Sequence, residues 1–299
     1  MPVNLPFLGE TLALLSALFW ALAVILFKKS GETVHPLGLN LFKNMVALTL
    51  LIPTLVIFHT PLLPRMSSGD YLKFIISGLL GMTLGDTLFF MSLNRLGANL
   101  AAITSYTYSP ILVIFSLLFL KERILPLQTL GIVMILTALL LISSSRTSKQ
   151  ISRRNLLTGI TLGIFSTACT AVGVIIIKPL LAQTPLLWAA ALRLLIGMAG
   201  VAIVILVLPE RRKIIASIFK LQGLGYSTAG TVLGTYLALT VWLGGMKFTQ
   251  VSVAAPLNQL SNIFIFIFSA LFLREPVTRT RLLAIITAGI GATLVFIKQ

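Results

Sequence analysis

The chain is written twice. Gly9, Leu12, Ser16, Ala21, Val24, Ile25 and Lys28 recur 150 positions later as Gly159, Leu162, Ser166, Ala171, Val174, Ile175 and Lys178. In the next apolar segment Lys43 recurs as Arg193 at the same offset. Such a duplication predicts two similar units packed against each other. Each copy is a series of apolar runs long enough to cross a bilayer, which takes about 20 residues per helix.

Composition sets the solvent. The chain is 57% hydrophobic and 10% charged, with a mean hydropathy of +1.03. A soluble domain is about one quarter charged, so most of this surface is expected to face lipid. The formal net charge of +16 lies in short gaps between apolar runs, where cations meet headgroups and set topology. No basic face interleaved with aromatics is present, so no nucleic-acid partner is expected. The one cysteine, Cys169, sits inside an apolar run, and the only histidines are His35 and His59. No intrachain disulfide, metal site or cofactor is expected from that set. The first eight residues lack Lys and Arg. The first apolar run therefore reads as a permanent span rather than a cleaved signal.

Apolar runs read against Pro, Gly and charge give ten expected spans. They cover about 9–27, 37–58, 72–93, 98–120, 125–143, 157–177, 185–208, 222–244, 250–272 and 279–297. The expected division is a first five-span repeat at 1–143, a basic linker at 144–156 and a second five-span repeat at 157–299. Arg146, Lys149, Arg153 and Arg154 mark the linker. Because five is odd, the second copy enters from the opposite side. The fold class is thus an all-α membrane protein of ten transmembrane helices in two inverted five-helix repeats. The gaps after odd-numbered spans carry fourteen Lys and Arg against seven on the other side. That bias favours both termini outside. Gly81 and Gly85 form a G-x-x-x-G step that Gly230 and Gly234 repeat, which predicts close helix contacts.

Several stretches together resemble a known family. They are Leu18-Phe19-Trp20 closing on Lys28-Lys29, Lys43 with Arg193, Leu84-Gly85-Asp86 and Leu233-Gly234-Thr235. The run from Ala101 through Pro110 to Lys121-Glu122-Arg123 belongs with them, as does its twin from Ala254-Ala255-Pro256 to Arg274-Glu275-Pro276. Over nearly its whole length the chain is similar to EamA-type members of the drug/metabolite transporter superfamily. One departure is that Lys121 and Arg274 stand where the usual pattern has Gly before the Glu. The resemblance implies a multi-pass protein of the plasma (bacterial inner) membrane that carries amino acids, metabolites, nucleotide sugars or drugs.

Candidate site residues come from features shared by both copies. Ser105, Tyr106 and Ser109 match Asn258, Gln259 and Asn262 at an offset of 153. Spacing i, i+1, i+4 puts each trio on one helix face, beside Pro110 or Pro256, which deprives a backbone carbonyl of its donor. These polar stripes are expected to line a substrate cavity. The alternative is hydrogen bonding between helices, worth about 0.6 kcal/mol per pair in lipid. Lys43 and Arg193 either snorkel to headgroups or face the cavity and attract an anionic solute, with Asn40 and Asn44 beside Lys43. Three roles are open to Asp86, whose twin is Thr235: coupling to protons, pairing with Lys43, or reaching water. Trp20 and Tyr236 offer rings for stacking on a substrate.

These features point to a secondary or facilitative carrier of small organic solutes such as amino acids or metabolites, working by alternating access between the repeats. The alternative is an exporter of drugs or lipid-like amphiphiles. No phosphate-binding G-x-x-x-x-G-K-[ST] loop occurs, so ATP is not the expected energy source. A membrane enzyme is not expected, because paired acids or intramembrane histidines are lacking. A channel is a remote reading. The expected partners are a small-molecule substrate and the bilayer, with the chain acting as a monomer or homodimer.

Overall fold

The computed structural model describes residues 7–61, 64, 66–105, 107–143, 152–273 and 279–296, and their regular elements are all helical. In the first copy α1 (Leu8–Ser30) and α2 (Pro36–Ile57) are single long helices. Lys28 and Lys29 close α1, where cations complement the helix dipole. Pro36 opens α2, and the His35 ring accepts from the Leu37 amide to cap it. Ser67 caps α3 (Ser68–Gly78), which runs into a π-helical segment, Leu79–Gly85. α4 (Asp86–Ser105) follows and turns a corner at Gly97, whose φ of 74° suits only glycine. α5 (Tyr108–Phe119) and α6 (Pro126–Ser143) complete the copy.

The second copy repeats this order. It contains α7 (Arg153–Leu181), α8 (Leu186–Val207), the short α9 (Arg211–Ile218) and α10 (Leu221–Gly230). A second π-helical segment, Thr231–Ala238, leads into α11 (Leu239–Phe248). α12 (Val251–Gln259), α13 (Ser261–Leu273) and α14 (Arg279–Phe296) follow.

Among the described residues six stretches are long and apolar enough to cross a membrane. They are Leu8–Ser30, Pro36–Ile57, Ser68–Gly97, Arg153–Leu181, Leu186–Val207 and Gly223–Phe248. Tyr108–Phe119, Pro126–Ala138 and Ile286–Val295 are shorter apolar helices. The expectation of ten long helices is therefore met in part, and for spans four and nine the reason is local. The fourth span of each copy is interrupted, at Thr107 in one and at Leu260 in the other. Pro110 offers no amide to the preceding turn, and Thr107 closes the first half by donating to the Thr104 carbonyl at 3.2 Å. In the second copy the tight bond from the Leu260 amide to the Leu257 carbonyl makes the break.

The copies interlock. α1 packs on α10, the second π-helical segment, α11, α12 and α13, all from the second copy. α7 packs on α3, the first π-helical segment, α4 and α5. α2 pairs with its twin α8, and α6 with its twin α14. Of the predicted glycine steps, Gly230 and Gly234 meet Phe27 and Ala23 of α1, and Gly85 meets Thr170 and Ser166 of α7. Gly81 serves differently: a Cβ there would lie 2.8 Å from Nη2 of Arg193. Large apolar side chains such as Val56, Ile57, Leu118 and Val207 cover the outer surface, as a lipid solvent requires.

Candidate functional site

Both interrupted fourth spans and both π-helical segments meet at one cavity of about 170 Å³. π-helical turns recur at functional sites because they widen the backbone and re-aim side chains. A broken span likewise frees backbone groups that need partners. Here the two copies supply them reciprocally. Gln259, at the end of α12, donates from Nε2 to the Ser105 carbonyl at 2.8 Å and accepts from Asn262 Nδ2 at 2.7 Å. Ser16 donates to the Ala238 carbonyl at 3.0 Å, and its twin Ser166 donates to the Gly85 carbonyl at 2.7 Å. Ala238 and Gly85 are the last residues of the two π-helical segments. Each first span thus satisfies the end of the other copy's widened turn. Asn258 joins this set by donating to Ser16 Oγ at 3.0 Å.

Lys43, Asp86, Ser105, Arg193, Asn258, Gln259, Asn262 and Trp20 all line the cavity. Tyr106 lies outside the described residues. Three other candidates are placed elsewhere. Ser109 is fully buried away from the lining, because the helix breaks between it and Ser105. Asn40 is a tether: its amide donates to the Met82 carbonyl and Thr87 Oγ1, each at 2.9 Å. Tyr236, inside the π-helical segment, turns its hydroxyl to Thr54 Oγ1 at 2.8 Å. The structure adds Ser16, Ser166 and Tyr108 to the lining, which also includes Trp242, a ring of the same stacking type as Trp20. The two serines carried a legible signal, since both belong to the polar part of the repeat. The Tyr108 and Trp242 rings lie 6.3 Å apart.

The two cations differ. Lys43 Nζ contacts Asp86 Oδ2 at 2.7 Å and Asn44 Oδ1 at 2.8 Å, and Asn44 in turn donates to Asn40 Oδ1 at 3.2 Å. Lys43 is thereby paired and hydrogen-bonded, as a buried charge requires. Arg193 is 1% exposed, yet none of its three side-chain nitrogens has a hydrogen-bond partner.

The two ends of the molecule also differ. On the side of the N-terminus, Glu122 accepts from the Val251 and Ser252 amides at 3.0 Å and from Ser252 Oγ at 2.8 Å. A first-copy carboxylate thus caps the second copy's α12. Nearby, Lys178 donates to the Met246 carbonyl and, at 2.6 Å, to the Thr249 carbonyl. Thr249 Oγ1 donates to Glu10 Oε1 at 3.0 Å. Lys28, the twin of Lys178, ends α1 on the other side and is exposed.

Comparison with known proteins was made on this basis. A search of curated proteins gave no match. A solved structure described only as "Crystal structure of protein" superposes with a TM-score of 0.73 at 16% identity, covering 97% of this chain and 96% of its own. That likeness concerns the fold. The sequence profile of the EamA-like transporter family matches twice, over residues 7–144 and 157–297. The chain belongs to the EamA-like transporter family, and so is a multi-pass membrane transporter of the drug/metabolite transporter superfamily.

Proposed function

We propose that the protein is a secondary carrier that moves a small organic solute, such as an amino acid or metabolite, through the cavity between two inverted five-span repeats. The observation that carries this reading is the meeting of both interrupted fourth spans at one cavity, where polar side chains from both copies are set in apolar walls. Broken helices at the interface of inverted repeats are where carriers bind their cargo. In this reading the ten expected spans include the two interrupted ones, 1–143 and 157–299 act as the moving halves, and 144–156 links them. The ties made by Glu122 and Lys178 hold the N-terminal side together. Their exchange for twin contacts on the opposite side would open one face as the other closes. Loop charge favours the plasma membrane orientation with both termini outside.

Asp86 is the proposed coupling group. A proton on its carboxylate would dissolve the pair with Lys43 and change the charge of the cavity by one unit. The asymmetry of the copies supports this, because Thr235 holds the twin position. Export of amphiphiles is the second reading, favoured by the Trp20, Phe89 and Trp242 walls.

Purified protein in proteoliposomes tests the class of activity. A carrier gives uptake that saturates with solute and accelerates when unlabelled solute is placed inside. Flux that rises linearly without saturating identifies a pore and ends the proposal.

A further inference from the structure

Of the two cations lining the cavity, one is neutralised within the protein and the other is not. The difference follows from the repeat itself. At the 150-residue offset Asn40 and Asn44, which support Lys43, become Ala190 and Leu194. Asp86, at an offset of 149, becomes Thr235. The amides and the carboxylate that partner Lys43 thus have no counterparts at the twin positions, while the cation itself is kept. Tyr108 and Asp86 are the ionisable groups that interact electrostatically with Arg193. Neither is hydrogen-bonded to it, and Asp86 already holds Lys43. A charge held in this position is costly in a membrane interior, more so when its donors are unused. Gly81, by lacking a side chain, keeps space open at Nη2.

Resting on the reading of this cavity as the solute site, we propose that Arg193 docks the carboxylate of an organic monoanion whose apolar body lies against the aromatic walls. The guanidinium fork matches a carboxylate through two parallel hydrogen bonds. One free cation calls for one negative charge. A phosphate monoester, with nearly two charges, would need Lys43 as well, and Lys43 is committed to Asp86. An amino acid zwitterion brings an ammonium group that leaves the charge of Arg193 uncompensated. The walls by Trp20, Phe89 and Trp242 suit an aromatic or branched body.

The test is calorimetric titration of the full-length protein in detergent with 3-phenyllactate, its amide, phenylalanine and phenyl phosphate. Isovalerate and isovaleramide supply the same comparison on a smaller body. Wild-type protein is expected to bind each acid about tenfold or more tighter than its amide, and phenyllactate tighter than phenylalanine or phenyl phosphate. Arg193→Gln should erase the preference for acid over amide. Arg193→Lys, which keeps the charge and loses the fork, should fall between. Equal binding of acid and amide by wild-type protein overturns the proposal without recourse to any variant. So do failure of both acids to bind, tighter binding of phenyl phosphate, or an acid preference that survives in Arg193→Gln. The carrier reading fails separately. Acid-selective binding without saturable flux leaves the anion site standing and removes the carrier. Saturable flux of neutral or zwitterionic solutes, unchanged in Arg193→Gln, does the reverse.

Discussion

Replacing Asp86 by Asn removes the negative charge that balances the buried Lys43 ammonium and leaves it only neutral acceptors. Removing one member of a buried ion pair costs about 3 kcal/mol or more, whereas replacing both by apolar residues of similar volume is often neutral. Asp86→Asn should therefore lower the unfolding midpoint of the detergent-solubilised protein clearly, and Lys43→Met with Asp86→Leu should restore most of the loss. A second residue-scale prediction concerns His35, which caps α2 outside the span. Burial lowers its pKa from the ordinary value of 6.5, against a smaller opposing pull from Glu210. The folded state thus favours the neutral ring, whose Nδ1 accepts from the Leu37 amide. This contribution is complete above pH 6.5 and is lost as pH falls through the lowered value. His35→Asn keeps a capping acceptor that does not titrate. Thermal unfolding should therefore show wild type losing ground to this variant as pH falls below 6.5.

At the scale of elements, Glu122, between α5 and α6 of one copy, ties that copy to the start of α12 in the other. Glu122→Ala leaves two amides and a hydroxyl without their acceptor. It should cost about 1–3 kcal/mol and raise hydrogen exchange at the Val251 and Ser252 amides, measured by mass spectrometry. The breaks and widened turns also explain what the sequence conceals. The doubling, the polar stripes and the two cations are written in residue types, so the convergence of Ser105, Asn258, Gln259, Asn262, Lys43 and Arg193 on one cavity was legible. Face assignments were not legible beyond the irregular turns. Ser109 shares a face with Ser105 only if the helix is continuous, and it breaks between them. Tyr236 sits within a π-helical segment, where 3.6-residue spacing no longer predicts direction. Asn40 lies on the same helix as Lys43 with the expected spacing, but its short amide is used up by the Met82 carbonyl. Those outcomes depend on which carbonyls the opposite copy leaves unsatisfied, and no local pattern records that.

At the scale of the whole molecule, two interlocked copies enclose a cavity whose walls come from both. Each first helix is embedded in the other copy, so neither half can tilt without changing what the other shows to solvent. The copies are alike in scaffold and unlike in charge: Lys43 is paired, Arg193 is open, and Asp86 has no acidic twin. The central claim is that solvent reaches this shared cavity from either side in turn and never through a continuous pore. Cys169 is the only native cysteine, so Asn262→Cys in a Cys169→Ser background places one reporter thiol in the cavity lining. The most direct measurement is its reaction with a membrane-impermeant thiol reagent, applied separately to right-side-out and inverted vesicles loaded with a small ionic dye. Alternating access predicts labelling from each side with the dye retained. A thiol that stays unreactive from both sides, or labelling accompanied by dye leakage, would contradict it.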